Sequence, residues 1–244
     1  MSDVTSMGRR ITVHGSSAYA TTGGAALPDA VALPPGVAVG RREGAGRGRD
    51  APRGVVRDLR RGAGAGRRPG RLVFGAHDVV VVSGLPGSGK STLMRRAVAG
   101  PRVDSQDARD RWAARMPRFV PYAVYRPLVR VAHYAGLRRA LRAGSGVVVH
   151  DCGTQPWVRR WLARAAVRRG GVLHLLLLDV PAPVALRGQR ARGRGVSRYA
   201  FARHRRGVGR LLRVAEGGGL PPGCGSVTLL DREGATALTE IAFA

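Results

Sequence analysis

Residues 79–92 read VVVVSGLPGSGKST, a run of four valines leading directly into a glycine-rich turn that ends in Gly-Lys-Ser-Thr. The pattern G-x-x-x-x-G-K-[ST] falls on Gly84, Gly89, Lys90 and Ser91. In this setting a buried strand feeds a loop that opens a helix. The loop amides and the helix N-terminus then converge on one point and make a nest for a phosphate group. Gly84, Gly87 and Gly89 permit the backbone conformations and close approach that such a nest requires. From the composition, a chance match anywhere in the chain is expected on the order of 0.002 times. The chain holds 42 lysines and arginines, and its one lysine stands at the position where a compact ammonium ligates phosphate. Gly84, Leu85, Pro86, Gly87, Ser88, Gly89, Lys90, Ser91 and Thr92 are therefore the expected nucleotide-binding residues. Lys90 would reach the β and γ phosphates of ATP, and the Ser91 hydroxyl would ligate Mg²⁺.

Outward from this loop, short apolar runs alternate with longer amphipathic ones, the pattern of an α/β domain built on a mostly parallel sheet. Residues 79–82, 147–150, 172–180 and 226–230 read as buried strands, and 102–104 as a short fifth. Helices are expected over 91–99, 106–115, 127–143, 156–169, 183–192 and 199–214. Pro127, Pro156 and Pro183 are expected in first turns, where the missing N–H costs little. Residues 1–70 differ, with 14 glycines, 12 arginines and five acids and no period of 2 or 3.6. They are expected to form a disordered Gly/Arg/Pro-rich tail before a kinase-like domain at 71–244, or to reflect a gene start set too early. Arg9 and Arg10 resemble a twin-arginine pair, but no apolar core follows them, so export is not expected and the cytoplasm is.

Composition narrows the classes further. The longest apolar stretch, 172–180, is far short of the roughly 20 residues that span a bilayer, so no membrane partner is expected. Two cysteines, Cys152 and Cys224, are too few for a disulfide framework or a four-cysteine zinc site. The net charge of +27 would attract any polyanion, nucleic acid included, although an arginine bias pervades the whole chain.

Three later segments distinguish a kinase from a motor or a switch. VDSQDARDRW, residues 103–112, offers Asp104 and Asp107 after the second strand, where an acid can take the proton of an acceptor hydroxyl. Each could equally serve as a cap or first-turn acid of the next helix. GVVVHDCGT, residues 146–154, is an apolar strand ending in Asp151, positioned to hold Mg²⁺. Arg187, Arg190, Arg192 and Arg194, in the run LLLLDVPAPVALRGQRARGRG (175–195), fall where an arginine lid would stabilise the transferring phosphoryl group.

Across residues 79–230 these segments resemble the AAA-type P-loop kinases related to bacteriophage polynucleotide 5′-kinase and to the zeta-toxin kinases. The resemblance implies a five-stranded parallel sheet with helices on both faces. It implies Asp107 as catalytic base, Arg109 or Arg111 as phosphate ligand, Arg159 or Arg160 as substrate-side arginine and Arg192 as the best-matching lid residue. It also implies Mg²⁺ held by Ser91 and Asp151. Residues 116–141, with three tyrosines and Phe119, would cover the acceptor pocket or simply pack as an amphipathic helix. The expected activity is Mg·ATP-dependent phosphoryl transfer to a small hydroxyl compound. A polynucleotide 5′-hydroxyl kinase, or a regulatory or nucleic-acid-associated ATPase with no acceptor, stands as the alternative.

Overall fold

The computed structural model describes residues 54–61, 70–150, 155–191 and 195–244. Its centre is a six-stranded, wholly parallel sheet in the order β1-β7-β6-β3-β5-β4. The strands are β1 (Val55–Asp58), β3 (Val79–Gly84), β4 (Arg102–Val103), β5 (Val147–His150), β6 (Leu173–Leu178) and β7 (Ser226–Leu230). A separate parallel pair joins β2 (Arg71–Phe74) to β8 (Glu240–Phe243). The intervening helices are α1 (Lys90–Ala97), α2 (Ser105–Arg115), α3 (Tyr122–Arg142), α4 (Pro156–Arg168), α5 (Ala182–Arg190), α6 (Arg198–Glu216) and α7 (Arg232–Ala237).

Strand pleating explains why the apolar runs are continuous. In β3, Val79 and Val81 pack with Leu137, Leu162 and Leu211 of α3, α4 and α6, whereas Val80 and Val82 pack with Leu93 and Met94 of α1 and with Leu72 and Ile241. Both faces are therefore covered, and β3 is buried along its whole length. After β3 the chain moves to one side of the sheet and after β6 to the other. This puts a topological switch point between β3 and β6, where the carboxyl ends of neighbouring strands leave a crevice.

Four expectations need correction. The sheet has six strands in place of five, because β1 lies inside the segment expected to be a tail. Val55–Asp58 pairs with Ser226–Leu229, a partner some 170 residues away that leaves no local trace in a four-residue run. Arg60, just after β1, binds Asp58 (2.7 Å), Asp179 (2.8 Å) and Glu216 (2.7 Å), tying β1 to the exit of β6 and the end of α6. The domain thus begins before residue 71. Pro127 is not a first-turn residue: α3 starts at Tyr122, and the proline costs it one backbone bond within the helix. The β2–β8 pair and α7 had no counterpart in the reading of the sequence, each being at most six residues long.

These contacts predict unequal truncations. Removing residues 1–45 should leave the melting transition of 46–244 unchanged, since those residues form one compact unit. Removing 1–70 strips an edge strand and the Arg60 cluster and should cost about 2–4 kcal/mol in a urea titration. Equal midpoints for the two truncations would contradict the structural role of β1.

At the opposite end of the strands lies a buried polar chain. His174 Nε2–H donates to Asp78 Oδ2 (2.9 Å), and His174 Nδ1 accepts from the Ser226 hydroxyl (2.7 Å). Asp78 Oδ1 and Oδ2 also accept from the backbone N–H groups of Val172 (2.7 Å) and Gly75 (2.6 Å). Burial would raise the Asp78 carboxyl, but the His174 bond and the two amides outweigh it and hold its pKa below the ordinary value. A carboxyl of this kind stabilises the fold fully above its unfolded pKa and loses that contribution as pH falls toward its folded one. Asp78→Ala should therefore destabilise the protein by about 3 kcal/mol at neutral pH, with the penalty shrinking below about pH 4. Chemical denaturation at both pH values checks it, and a pH-independent penalty would contradict the assignment.

Candidate active site

The site gathers at the carboxyl ends of β3, β5 and β4. At the end of β3 the chain turns through Gly84 (φ 148°), Gly87 (φ 87°) and Gly89 (φ 97°), all in the region that favours glycine. A side chain on Gly87 would collide with the Ala185 carbonyl, so the loop lies against α5 backbone to backbone. Gly89 caps α1, which directs the helix N-terminus at the loop. Lys90 is 5% exposed and donates from Nζ to the carbonyls of Gly84 (2.9 Å) and Leu85 (2.7 Å), which hold the ammonium over its own loop. Ser91 is buried beside it.

The two rival acids separate. Asp104 is 4% exposed and caps α2 through the Gln106 N–H (2.8 Å), and its Oδ1 accepts from His150 Nδ1–H at 2.5 Å. The same His150 nitrogen is 3.1 Å from Ser105 Oγ. Burial would raise the Asp104 carboxyl. The His150 hydrogen bond and charge, the Gln106 amide and the nearby Ser91 hydroxyl outweigh it and hold the group well below the usual carboxylate range. Ser91 is near enough to exert that pull without forming a well-aligned bond to Oδ2. Asp107 sits half-buried in the first turn of α2 with no side-chain partner among the described residues. Arg109 stacks over the Tyr122 ring (4.1 Å), and Arg111 is exposed.

A cavity of about 470 Å³ opens at the switch point. Gly87, Ser88, Gly89 and Thr92 form one wall; Leu178, Val180 and Val184 form an apolar wall; Arg187, Arg232 and Thr236 stand at the edge. A far smaller cavity of about 10 Å³, beside β1 and β2, is remote from the loop. The larger one has the mixture of apolar wall and phosphate nest that a nucleotide needs. Of the expected arginines, Arg187 lines this cavity and Arg190 is exposed outside it, while Arg192 and Arg194 lie outside the described residues. Asp151 and Cys152 also lie outside them. Arg159 is buried, with Nε donating to the Pro222 carbonyl (3.4 Å), whereas Arg160 is exposed. The Cys224 thiol is pushed up to about 11 by burial, which makes it a poor nucleophile.

Sequence reasoning passed over His150 and Arg232. His150 ends an apolar strand, a signal for proximity to the site, but its partner Asp104, the residue that caps α2, stands 46 residues earlier in the chain and is identified only by tertiary pairing. Among the described residues no group of three or more His, Cys, Asp or Glu side chains could hold a metal ion. The buried Ser91 hydroxyl at the start of α1 nevertheless fits a hard cation that takes its remaining ligands from phosphates and water. No helix among the described residues is long and apolar enough to cross a membrane.

The sequence model of a family described as an AAA domain matches residues 79–214, from β3 into α6. No curated protein matches. Among solved structures, a tunicamycin resistance protein of Deinococcus radiodurans is 15% identical, covering 58% of this chain and 92% of its own, with a TM-score of 0.34. A protein of the PezAT chromosomal toxin-antitoxin system of Streptococcus pneumoniae is 9% identical over 67% of this chain and 72% of its own, with a TM-score of 0.45. A candidate kinase of Chloroflexus aurantiacus is 14% identical over 64% and 86%, with a TM-score of 0.41. At these scores the three carry no argument about activity.

Proposed function

The chain belongs to the AAA-domain family, and from that premise we propose that it is a Mg·ATP-dependent phosphotransferase acting in the cytoplasm on a hydroxyl group of a small molecule. The observation that carries the reading is the buried Asp104–His150 pair beside Ser91. A carboxylate fixed next to the loop by a histidine suits a reaction in which an acceptor hydroxyl must be oriented.

The loop amides and Lys90 bind the phosphate chain and neutralise charge on the γ-phosphoryl group as it transfers. To do so the ammonium exchanges its bonds to Gly84 and Leu85 for phosphate oxygens. Ser91 and Asp151 are the residues that would hold Mg²⁺, which would supply positive charge to offset that of the phosphates. Arg187 reaches the nucleotide from the cavity edge, joined by Arg190, Arg192 and Arg194 as further lid arginines. Asp104 orients the acceptor hydroxyl and takes its proton late. A carboxylate with so low a pKa is a weak base, but a loose transition state asks little of it until the new bond has formed. Asp107, one helical turn on, is the reserve for that role.

The test is transfer of label from γ-labelled ATP across a panel of small hydroxyl compounds and a 5′-hydroxyl oligonucleotide. Label on a small compound supports the proposal. Label on the oligonucleotide alone reassigns the acceptor to polynucleotide ends, and hydrolysis indifferent to every acceptor reassigns the chain as a regulatory ATPase.

A further inference from the structure

Gln189, in α5, is 6% exposed and spends its two ends on two different elements. Its Nε2 donates to the Pro86 carbonyl in the phosphate loop (3.0 Å), and its Oε1 accepts from the Val196 backbone N–H (3.0 Å). Val196 immediately precedes Ser197, whose side chain caps α6 through the Ala200 N–H (3.2 Å). Around this amide the contact is backbone on backbone: a side chain on Gly188 would come within 2.5 Å of the Gly87 carbonyl. The requirements on the side chain are strict. Pro86 presents its carbonyl and Val196 its N–H, so the bridge needs one donor and one acceptor at the two tips of a planar group, which an amide supplies and a carboxylate, an ammonium or a hydrocarbon does not.

The far end of this bridge matters because of what α6 carries. Its His204 imidazole is pushed down to about 4, first by burial and then by the charges of Arg203 and Lys90. Its Nδ1 is buried with no hydrogen-bond partner among the described residues. His204 thus reports chiefly how completely α6 is buried against the rest of the domain.

We infer that Gln189 is a positioning residue that couples the phosphate loop to the start of α6, so that filling the loop with a triphosphate and seating α6 become one equilibrium. The inference rests on the loop being the ATP site. Coupling of this kind is reciprocal: whatever loosens α6 weakens the nucleotide, and the nucleotide alters the surroundings of His204.

The experiment uses the full chain, reading the His204 ring by NMR at about pH 5.5, where an ordinary imidazole is mostly protonated, and Mg·ATP affinity by calorimetry. In the wild type His204 stays unprotonated without nucleotide, and added Mg·ATP shifts its resonance. Gln189→Met, similar in length but unable to bridge, should protonate His204 and weaken ATP about tenfold. Gln189→Glu keeps the acceptor for Val196 and loses the donor for Pro86. It should leave His204 as in the wild type while still weakening ATP, a separation that a general loss of stability does not produce. Wild-type His204 behaviour and wild-type affinity in Gln189→Met would overturn the inference, as would protonation of His204 with no change in affinity. If the wild type binds no ATP at all, the nucleotide reading fails instead, and the His204 response of the two variants still decides whether Gln189 seats α6.

Discussion

Lys90→Met is expected to weaken ATP binding by at least about 100-fold, beyond ready detection by calorimetric titration. The side chain is the chain's single lysine, it is buried, and its ammonium already stands over the loop carbonyls of Gly84 and Leu85. A methionine of similar length removes the charge without opening a large cavity. The two carbonyl bonds it gives up are worth about 1 kcal/mol each, so the melting temperature without nucleotide should fall by only a few degrees. Binding and folding should therefore come apart in one variant. Wild-type affinity in a folded Lys90→Met protein would remove the phosphate-loop reading despite the motif.

Asp104→Asn is expected to slow phosphoryl transfer by about 10² to 10⁴ while leaving Mg·ATP affinity within a few-fold. The amide keeps the size of the carboxylate and can still cap α2 through its oxygen, but it neither takes the acceptor proton nor makes a charge-assisted bond to His150. Asp107→Asn should transfer within about threefold of the wild-type rate, because Asp107 is half-buried in the first turn of α2 and has no partner among the described residues. Single-turnover transfer from labelled ATP to the acceptor found by the panel separates the two. A slow Asp107→Asn beside a normal Asp104→Asn would return the role to Asp107, and two normal variants would leave only ATP binding or hydrolysis.

The sequence by itself determined the phosphate loop and the parallel α/β architecture around it. Both are local or repetitive signals: GLPGSGKST is a contiguous motif whose glycines are demanded by backbone geometry, and the valine and leucine runs of β3, β5, β6 and β7 are buried on both faces. It also marked out the segment carrying Asp104 and Asp107, but a cap, a first-turn acid and a catalytic base look alike in one dimension. Tertiary structure decided what depends on pairing across long separations. β1 is a strand because Ser226–Leu229 receives it, and Arg60 is fixed by acids as distant as Glu216. Asp104 is set apart from Asp107 by His150, 46 residues away, and Gln189, bound to Val196 nearby, reaches Pro86 across a chain separation of 103 residues. Burial and hydrogen bonding hold these groups in place, and both depend on which strands become neighbours, information that no window of sequence contains.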